Sequence, residues 1–376
     1  MTEGGQEDLD RIQHGKVGAN QRRRRFSVVP GRCPGNETIT DSRIHQNPRE
    51  RVELSPNGNP RPAIFLATRL IDVVEEQFES VFDTKKVVGE DPLAELRASD
   101  RSFDVVVFSL DIEMRAKQIE ALPASVRALA TYSVGTDHID LGFAQERGLA
   151  VFNTPGVLAD SVAENAIFLM LGAARRATES VELIRSRSWP GWSPRQLVGF
   201  QLSGRTLGIL GMGDIGMRVA LRAEALGMKI LYSNRRPPAS SERYASGYRS
   251  SVTELVRESD VLLLACPSTE ETREIIDTAL LKNAKPELIL VNIARGDLVK
   301  DEALVSALRD GRVWAAGLDV FSGEPDICAA YFDLPNVFIL PHIGSSTREA
   351  RLGMGGILID AISNWAVGRG VVNRVV

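Results

Sequence analysis

Short, nearly unbroken apolar runs alternate along this chain with amphipathic stretches, and that alternation limits the fold more than any other feature. The first series reads as strands at 62–68 (PAIFLAT), 104–109 (DVVVFS), 128–135 (ALATYSVG) and 150–154 (AVFNT), with a helical pattern at 71–82. A second series follows at 206–210, 229–234, 260–266, 288–293, 313–320 and 336–341. Strands apolar on both faces are those that helices cover on both sides, so the pattern predicts an α/β chain with mostly parallel sheets and two nucleotide-fold-like units. Between the two series, 160–186 reads as one long helix, opened by Asp160 or Ser161 as N-cap with Glu164 as capping-box partner.

The 376 residues suffice for two domains, each with its own core. Residues 1–61 stand apart, with 13 apolar residues against eleven Lys/Arg and eight Asp/Glu. Such a segment buries too little apolar surface to offset its ordering entropy, so a disordered extension is expected. Its balance of +3 leaves −7 on the remainder of a chain whose formal net charge is −4. That charge argues against a nucleic-acid or membrane partner, the run RRRRF at 22–26 notwithstanding, and leaves small anionic ligands open. Cys33, Cys266 and Cys328 are few and far apart, which suggests neither a disulfide framework nor a metal site and fits a reducing, cytoplasmic setting. The N-terminus lacks the apolar core of a secretory signal, and no apolar run approaches the roughly eighteen residues of a spanning helix.

Within TLGILGMGDIG, the glycines at 211, 213 and 216 fall directly after a strand and open an amphipathic helix. That setting makes a bare G-x-G-x-x-G spacing dinucleotide-like. Gly211 serves the tight turn, Gly213 lets the backbone approach a pyrophosphate, and Gly216 lets the helix lie close on the strand, while the helix N-terminus offers free N–H groups. At the end of the next strand an NAD site normally places an acid, but here Asn234 stands before Arg235 and Arg236. Guanidinium groups bind a 2′-phosphate that a carboxylate would repel, so NADPH is the expected cofactor, with NAD left open.

Arg295, Glu324 and His342 fall where strands of the second series should end, beside the expected cofactor crevice. For reduction of a 2-keto acid this set is sufficient in kind. Arg295 holds the carboxylate and polarises the ketone, His342 protonates the developing alkoxide, and Glu324 holds the imidazole and favours its protonated form.

The segments SVGTDHID, NTPGVLADSVAE, LGILGMGDIG, VNIARGDLV, AAGLDVFSGEP and LPHIGSST, in that order over about 62–376, resemble the D-isomer-specific 2-hydroxyacid dehydrogenases. With SWPGWSPRQLVG and NRRPP, the run is most similar to the glyoxylate/hydroxypyruvate reductase branch. The resemblance implies two Rossmann-like, doubly wound parallel-sheet domains with the active site in the cleft between them. The substrate domain would comprise 62–158 and 344–376, and the cofactor domain 159–343. It also implies that Arg295, Glu324 and His342 are catalytic, and that the amides of Ser133, Val134 and Gly135 bind the substrate carboxylate together with Arg295, with Ser345 alongside. Cofactor contacts would fall on Asp214, Ile215 and Gly216 of the turn, on Ser233, Asn234, Arg235 and Arg236, and on Pro267, Ile293, Asp319 and Gly344. Of these, Asp319 would take the nicotinamide amide, and at Pro267 some reductases carry a serine instead. A homodimer through the cofactor domain is implied too, with Trp189 or Trp192 of the 188–199 arm approaching the neighbouring active site. The same fold serves dinucleotide-sensing corepressors and reductases of larger aryl-pyruvates, and these are the competing readings.

Overall fold

The computed structural model describes residues 61–236 and 243–376, all within the compact unit Arg51–Val376. The disordered extension, the RRRRF run and Cys33 expected from the sequence lie outside the described residues, apart from the exposed Arg61.

Strands β1 (Ala63–Leu66), β2 (Asp83–Lys86), β3 (Val105–Phe108), β4 (Ala128–Thr131) and β5 (Ala150–Phe152) form a parallel sheet in the order β2-β1-β3-β4-β5. Their connections carry α1 (Asp72–Val81), α2 (Pro92–Arg97), α3 (Ala116–Glu120) and α4 (Leu141–Glu146). The chain then leaves this sheet and continues through α5 (Ala159–Ala174) and α6 (Ala177–Arg185), with α5 packed against a second sheet. That sheet contains β6 (Thr206–Leu210), β7 (Lys229–Ser233), β8 (Val261–Leu264), β9 (Ile289–Asn292), β10 (Ala315–Leu318) and β11 (Val337–Ile339), all parallel, in the order β11-β10-β9-β8-β6-β7. Its helices are α7 (Asp214–Ala225), α8 (Val252–Glu258), α9 (Thr278–Leu281) and α10 (Asp301–Arg309), and α11 (Arg348–Ala366) closes the chain. Both sheets are doubly wound, with strand order reversing beside β1 in one and beside β6 in the other, the positions where such sheets open a crevice.

The central strands are apolar throughout because both faces are covered. All four residues of β3 and all four of β8 are fully buried, each side chain contributing about 1.5–3 kcal/mol over an exposed one. α5 packs on α7 and on β9, β10 and β11, and Gly317 is needed because a Cβ there would press on the Leu169 carbonyl of α5. α11 returns to α1, where a Cβ on Gly355 would meet Val74, and the C-terminal residues pair beside β5 (Val375 N to Val151 O, 2.7 Å).

Two expectations need correction. The single helix 160–186 is broken at Arg176, whose φ of 55° lies in the left-handed region. The returning chain takes the place of the next turn, since Phe200 N donates to Ala174 O (2.9 Å) and a Cβ on Gly199 would strike that carbonyl. The break is held by the Arg176 guanidinium on Glu179 (2.7 and 2.5 Å). Neither Asp160 nor Ser161 caps α5, because the helix begins one residue earlier, with Leu158 at the N-cap. Asp160 instead binds Arg218 (2.6 Å) and Arg222 (2.8 Å) on α7, and Ser161 Oγ donates to Gly344 O (2.6 Å).

Candidate active site

The first half of the site grows from β6. Gly211 has φ 102°, and a Cβ there would collide with the Ala265–Cys266 peptide after β8, while one on Gly216 would strike Gly211 O. Gly213 differs, because a Cβ there would meet no protein atom within 4 Å. The room it leaves faces outward from the chain, as a cradle for a ligand would. The backbone amides of Asp214, Ile215 and Gly216 at the start of α7 have no acceptor among the described residues, and the positive end of the helix dipole adds to their pull on an anion. These features fit a dinucleotide pyrophosphate. Asp214 is exposed and binds Arg218 (2.9 Å).

At the end of β7, Ser233 is buried and its carbonyl accepts from Gly211 N (3.0 Å). Asn234 turns back to accept from Met212 N (2.7 Å), pinning the glycine turn, while Arg235 and Arg236 are exposed. Pro267, exposed after β8, and Ile293, buried after β9, complete this edge. Asp319, after β10, is 1% exposed and accepts from Ile343 N and Gly344 N, both at 2.8 Å, so it shapes the loop after β11.

The second half is chemical. Asn292 ends β9 and shapes the turn that follows by donating to Arg295 O (2.7 Å) and accepting from Ala294 N (3.0 Å). Gly296 is packed so closely on the Phe321 carbonyl that a side chain would not fit. His342 stands after β11 with φ 54°, held there by its amide on Asp319 O (2.8 Å). A non-glycine residue in that region carries strain that the surroundings must hold in place. Its Nδ1 lies 2.7 Å from Glu324 Oε2, and Glu324 Oε1 accepts from Phe321 N (2.7 Å). The carboxylate assigns the proton to Nδ1, leaving Nε2 with no protein partner among the described residues. Burial alone would raise the Glu324 carboxyl, but the His342 hydrogen bond, the His342 and Arg295 charges and the Phe321 amide outweigh it and hold the group below its ordinary range.

Facing this edge is the loop after β4, and here every carbonyl is engaged. Thr154 N donates to Ser133 O (2.9 Å), Asn153 Nδ2 to Val134 O (2.9 Å) and Ser133 Oγ to Gly135 O (2.7 Å). Ile139 N, Arg115 Nη1 and Met114 N take the next three, at 2.9, 2.6 and 2.9 Å. The amides of Val134, Gly135 and Thr136 have no acceptor among the described residues, so the loop presents donors only. Beneath it, His138 is buried, with Nε2 on Thr131 Oγ1 (3.0 Å), which meets Ser133 Oγ (2.7 Å), while its Nδ1 has no partner. Burial drives the His138 pKa down to about 4, so the ring is neutral at pH 7.

The two halves meet at Arg295. Its guanidinium binds Asp137 of this loop through Nε (3.1 and 3.0 Å) and Nη2 (2.8 Å), and Nη1 donates to Ala294 O (2.7 Å). A Cβ on Gly135 would overlap Nη2. The Asp137 carboxyl, which burial would raise, is lowered by the hydrogen bond and charge of Arg295. Ser345, half-buried, follows Gly344 on the far side. Thus Arg295, Glu324 and His342 share the C-terminal edge of the second sheet, and Arg295 touches the loop of Val134 and Gly135. Asp137, Asn153 and His138 were not singled out in the sequence. Of these only Asp137 carried a signal, a lone acid in a glycine-containing loop.

Trp189 and Trp192 stand apart on the 188–199 arm, 52% and 83% exposed. A cavity of about 320 Å³, lined among others by Arg176, Trp314 and Phe338, lies at the opposite, N-terminal ends of β10 and β11. Among the described residues no group of three or more His, Cys, Asp or Glu is placed to hold a metal ion, and no helix is long and apolar enough to cross a membrane.

Comparison with known proteins places this geometry. Residues 167–344 match the family model described as D-isomer specific 2-hydroxyacid dehydrogenase, NAD binding domain. The chain is 42% identical over 286 residues to a glycerate dehydrogenase of Hyphomicrobium methylovorum, covering 74% of this chain and 89% of that one. It is 39% identical to a glyoxylate reductase of Thermococcus kodakarensis, over 84% and 97% of the two chains. Among solved structures, an NADPH-dependent glyoxylate/hydroxypyruvate reductase from Sinorhizobium meliloti, in complex with NADP and malonate, superposes with a TM-score of 0.75 at 31% identity, covering 84% of this chain and 97% of that one.

Proposed function

This chain belongs to the D-isomer specific 2-hydroxyacid dehydrogenase family, an oxidoreductase family with a nicotinamide-dinucleotide domain, and on that footing we propose that it reduces glyoxylate or hydroxypyruvate to the D-2-hydroxy acid with NADPH. The observation that carries the reading is the Glu324–His342 pair, which leaves Nε2 free at the strand edge that also bears Arg295 and the dinucleotide turn. Relatives named glyoxylate reductase and glycerate dehydrogenase support the substrate class.

In this mechanism the substrate carboxylate lies against the amides of Val134 and Gly135 and the guanidinium of Arg295, with Ser345 beside it. Arg295 also faces the keto oxygen and stabilises the charge that develops there. A reduced nicotinamide dinucleotide held at the glycine turn would supply the hydride for C2. His342 gives its Nε2 proton to that oxygen as charge builds, and Glu324 holds the ring by Nδ1 and stabilises the cation needed before transfer. Gly211, Gly213, Asp214, Ile215 and Gly216 would hold the pyrophosphate, and Ser233 to Arg236 the adenosine end. Pro267, Ile293, Asp319 and Gly344 would border the nicotinamide end. We assign the substrate portion to 62–158 and 344–376 and the cofactor portion to 159–343, supported by the packing of α11 on α1 and of α5 on α7.

The NADPH preference is supported by Asn234, which is tied to Met212 and carries no charge, and by the exposed Arg235 and Arg236. A homodimer through the cofactor portion is supported by exposed apolar side chains at Phe168 and Leu171 of α5, Val181 and Ile184 of α6, and Trp189 and Trp192 of the arm. A cytoplasmic setting is supported by the free thiols of Cys266 and Cys328. The deciding experiment is a panel of 2-keto acids assayed with both cofactors. Glyoxylate and hydroxypyruvate should lead, with kcat/KM roughly 30- to 1,000-fold higher for NADPH than for NADH. Preference for NADH would remove the cofactor assignment, and inactivity toward every 2-keto acid would remove the reaction.

A further inference from the structure

We propose that Asp137 is the positioning residue for Arg295, gripping one edge of the guanidinium from across the cleft so that the other edge is left aimed at the substrate; this rests on the reductase reading above. The two residues are 158 positions apart and come from different sheets, Asp137 from the loop after β4 and Arg295 from the turn after β9. A guanidinium carries five N–H groups in a fixed plane. Here Nε and one hydrogen of Nη2 go to Asp137, and one hydrogen of Nη1 goes to Ala294 O. One hydrogen on each Nη remains without an acceptor among the described residues, away from the Nε–Nη2 edge that Asp137 occupies. Charge-assisted donors of this kind are what a carboxylate or a keto oxygen accepts. The Arg295 side chain keeps 26% of its surface exposed, so its protein partners do not seal it off. Asp137 therefore occupies a different edge from the one the substrate needs, and does not compete for it.

The grip is stiff at both ends. The backbone of Asp137 is fixed by Arg115 Nη1 on its carbonyl (2.6 Å), and the carbonyls on either side are held by Ile139 N and Met114 N, each at 2.9 Å. The Arg295 carbonyl is fixed by Asn292 (2.7 Å). Gly135, having no side chain, lets the guanidinium lie against the loop. An arginine held by one residue on its own turn would swing among rotamers, whereas one clamped between two rigid loops keeps its donors where the reacting oxygen must be. The same contact makes the carboxylate-binding loop and the catalytic edge register with each other before substrate arrives.

The test is steady-state kinetics with glyoxylate on NADPH-saturated Asp137→Ala and Asp137→Asn, with oxamate affinity measured by calorimetry on the same complexes. Asp137→Ala should raise KM and lower kcat so that kcat/KM falls roughly 10- to 100-fold, with Asp137→Asn between it and the parent. Oxamate affinity should weaken in the same order, while the NADPH dissociation constant and thermal midpoint, which report folding, stay near parental values. In an Arg295→Ala background, removing Asp137 should change kcat/KM by less than about twofold, because its effect passes through the guanidinium. Tighter or unchanged oxamate binding in folded Asp137→Ala, or an undiminished effect without Arg295, would overturn the proposal. A parent that reduces no 2-keto acid removes the function reading and this inference together, whereas an active parent with a silent Asp137→Ala removes this inference alone.

Discussion

Two loops in this chain present backbone amides without acceptors, and they achieve it in opposite ways. In the turn 211–216 the amides are free because a helix begins there, so three glycines and the start of α7 are enough. In the loop 133–138 no helix contributes, and the amides are free because every carbonyl has been turned away and tied to partners at Arg115, Met114, Ile139, Asn153 and Thr154 as well as to Ser133 itself. The first device is local in sequence and carries a dipole, while the second is assembled from distant residues and depends on each tie. Damage to one should therefore look unlike damage to the other.

The largest expected effect separates both loops from the chemistry between them. His342→Ala should lower kcat for glyoxylate roughly 10²- to 10⁴-fold with NADPH affinity nearly unchanged, the range for a positioned general acid. A kcat within a few-fold of the parent in folded, NADPH-saturated protein would show that His342 only shapes a strand end.

The support under the second loop should be visible in acid. The folded-state pKa of His138 lies near 4, below the ordinary imidazole value of 6.5, so the unfolded chain takes up the proton first as pH falls. The corresponding stability is intact above about pH 6.5 and is lost between there and about pH 4, up to roughly 3 kcal/mol. Thermal midpoints of the parent and His138→Gln, measured at pH 7.5 and pH 5, should show the smaller acid loss in the variant. Parallel losses would place the titration elsewhere.

Within the turn, Gly213→Val should weaken NADPH binding by roughly tenfold or more while leaving the thermal midpoint close to parental, since the added atoms enter ligand space. Gly211→Ala should instead destabilise the fold by about 1–3 kcal/mol, from its φ of 102° and the collision with the peptide after β8. If the two variants behave alike, the turn is not divided between packing and binding as described.

The smallest effect belongs to a single tie. Asn153→Ala frees Val134 O and should raise KM for the keto acid several-fold, about 1 kcal/mol, with NADPH binding unaffected. An unchanged KM would mean that the loop keeps its shape without that tie.

This contrast also explains what could be read from the sequence. The strands with continuous apolar runs were legible, as were the glycine turn and the positions of Arg295, Glu324 and His342, because each announces itself within a few residues. The edge strand β2 was not, since DTKK has no apolar residue and pairs through its backbone alone, its lysines bound to Glu75, Glu79 and Glu95. The break at Arg176 was hidden because the residue causing it, Phe200, arrives 24 positions later. Asp137 could not be paired with Arg295 from the sequence because that partner lies on another sheet.

The hydrogen bond from Ser161 Oγ to Gly344 O reaches beyond its own strength. The chain passes between the sheets twice, at 153–158 and at 343–347, and this bond joins the start of α5, just beyond the first passage, to the second. Because Gly344 also donates its amide to Asp319 (2.8 Å), the start of α5, the end of β10 and the loop that carries His342 form one connected span, anchored to α7 through Asp160 and the arginines at 218 and 222. A change at Ser161 is thereby transmitted to the loop of His342 rather than absorbed within its own helix.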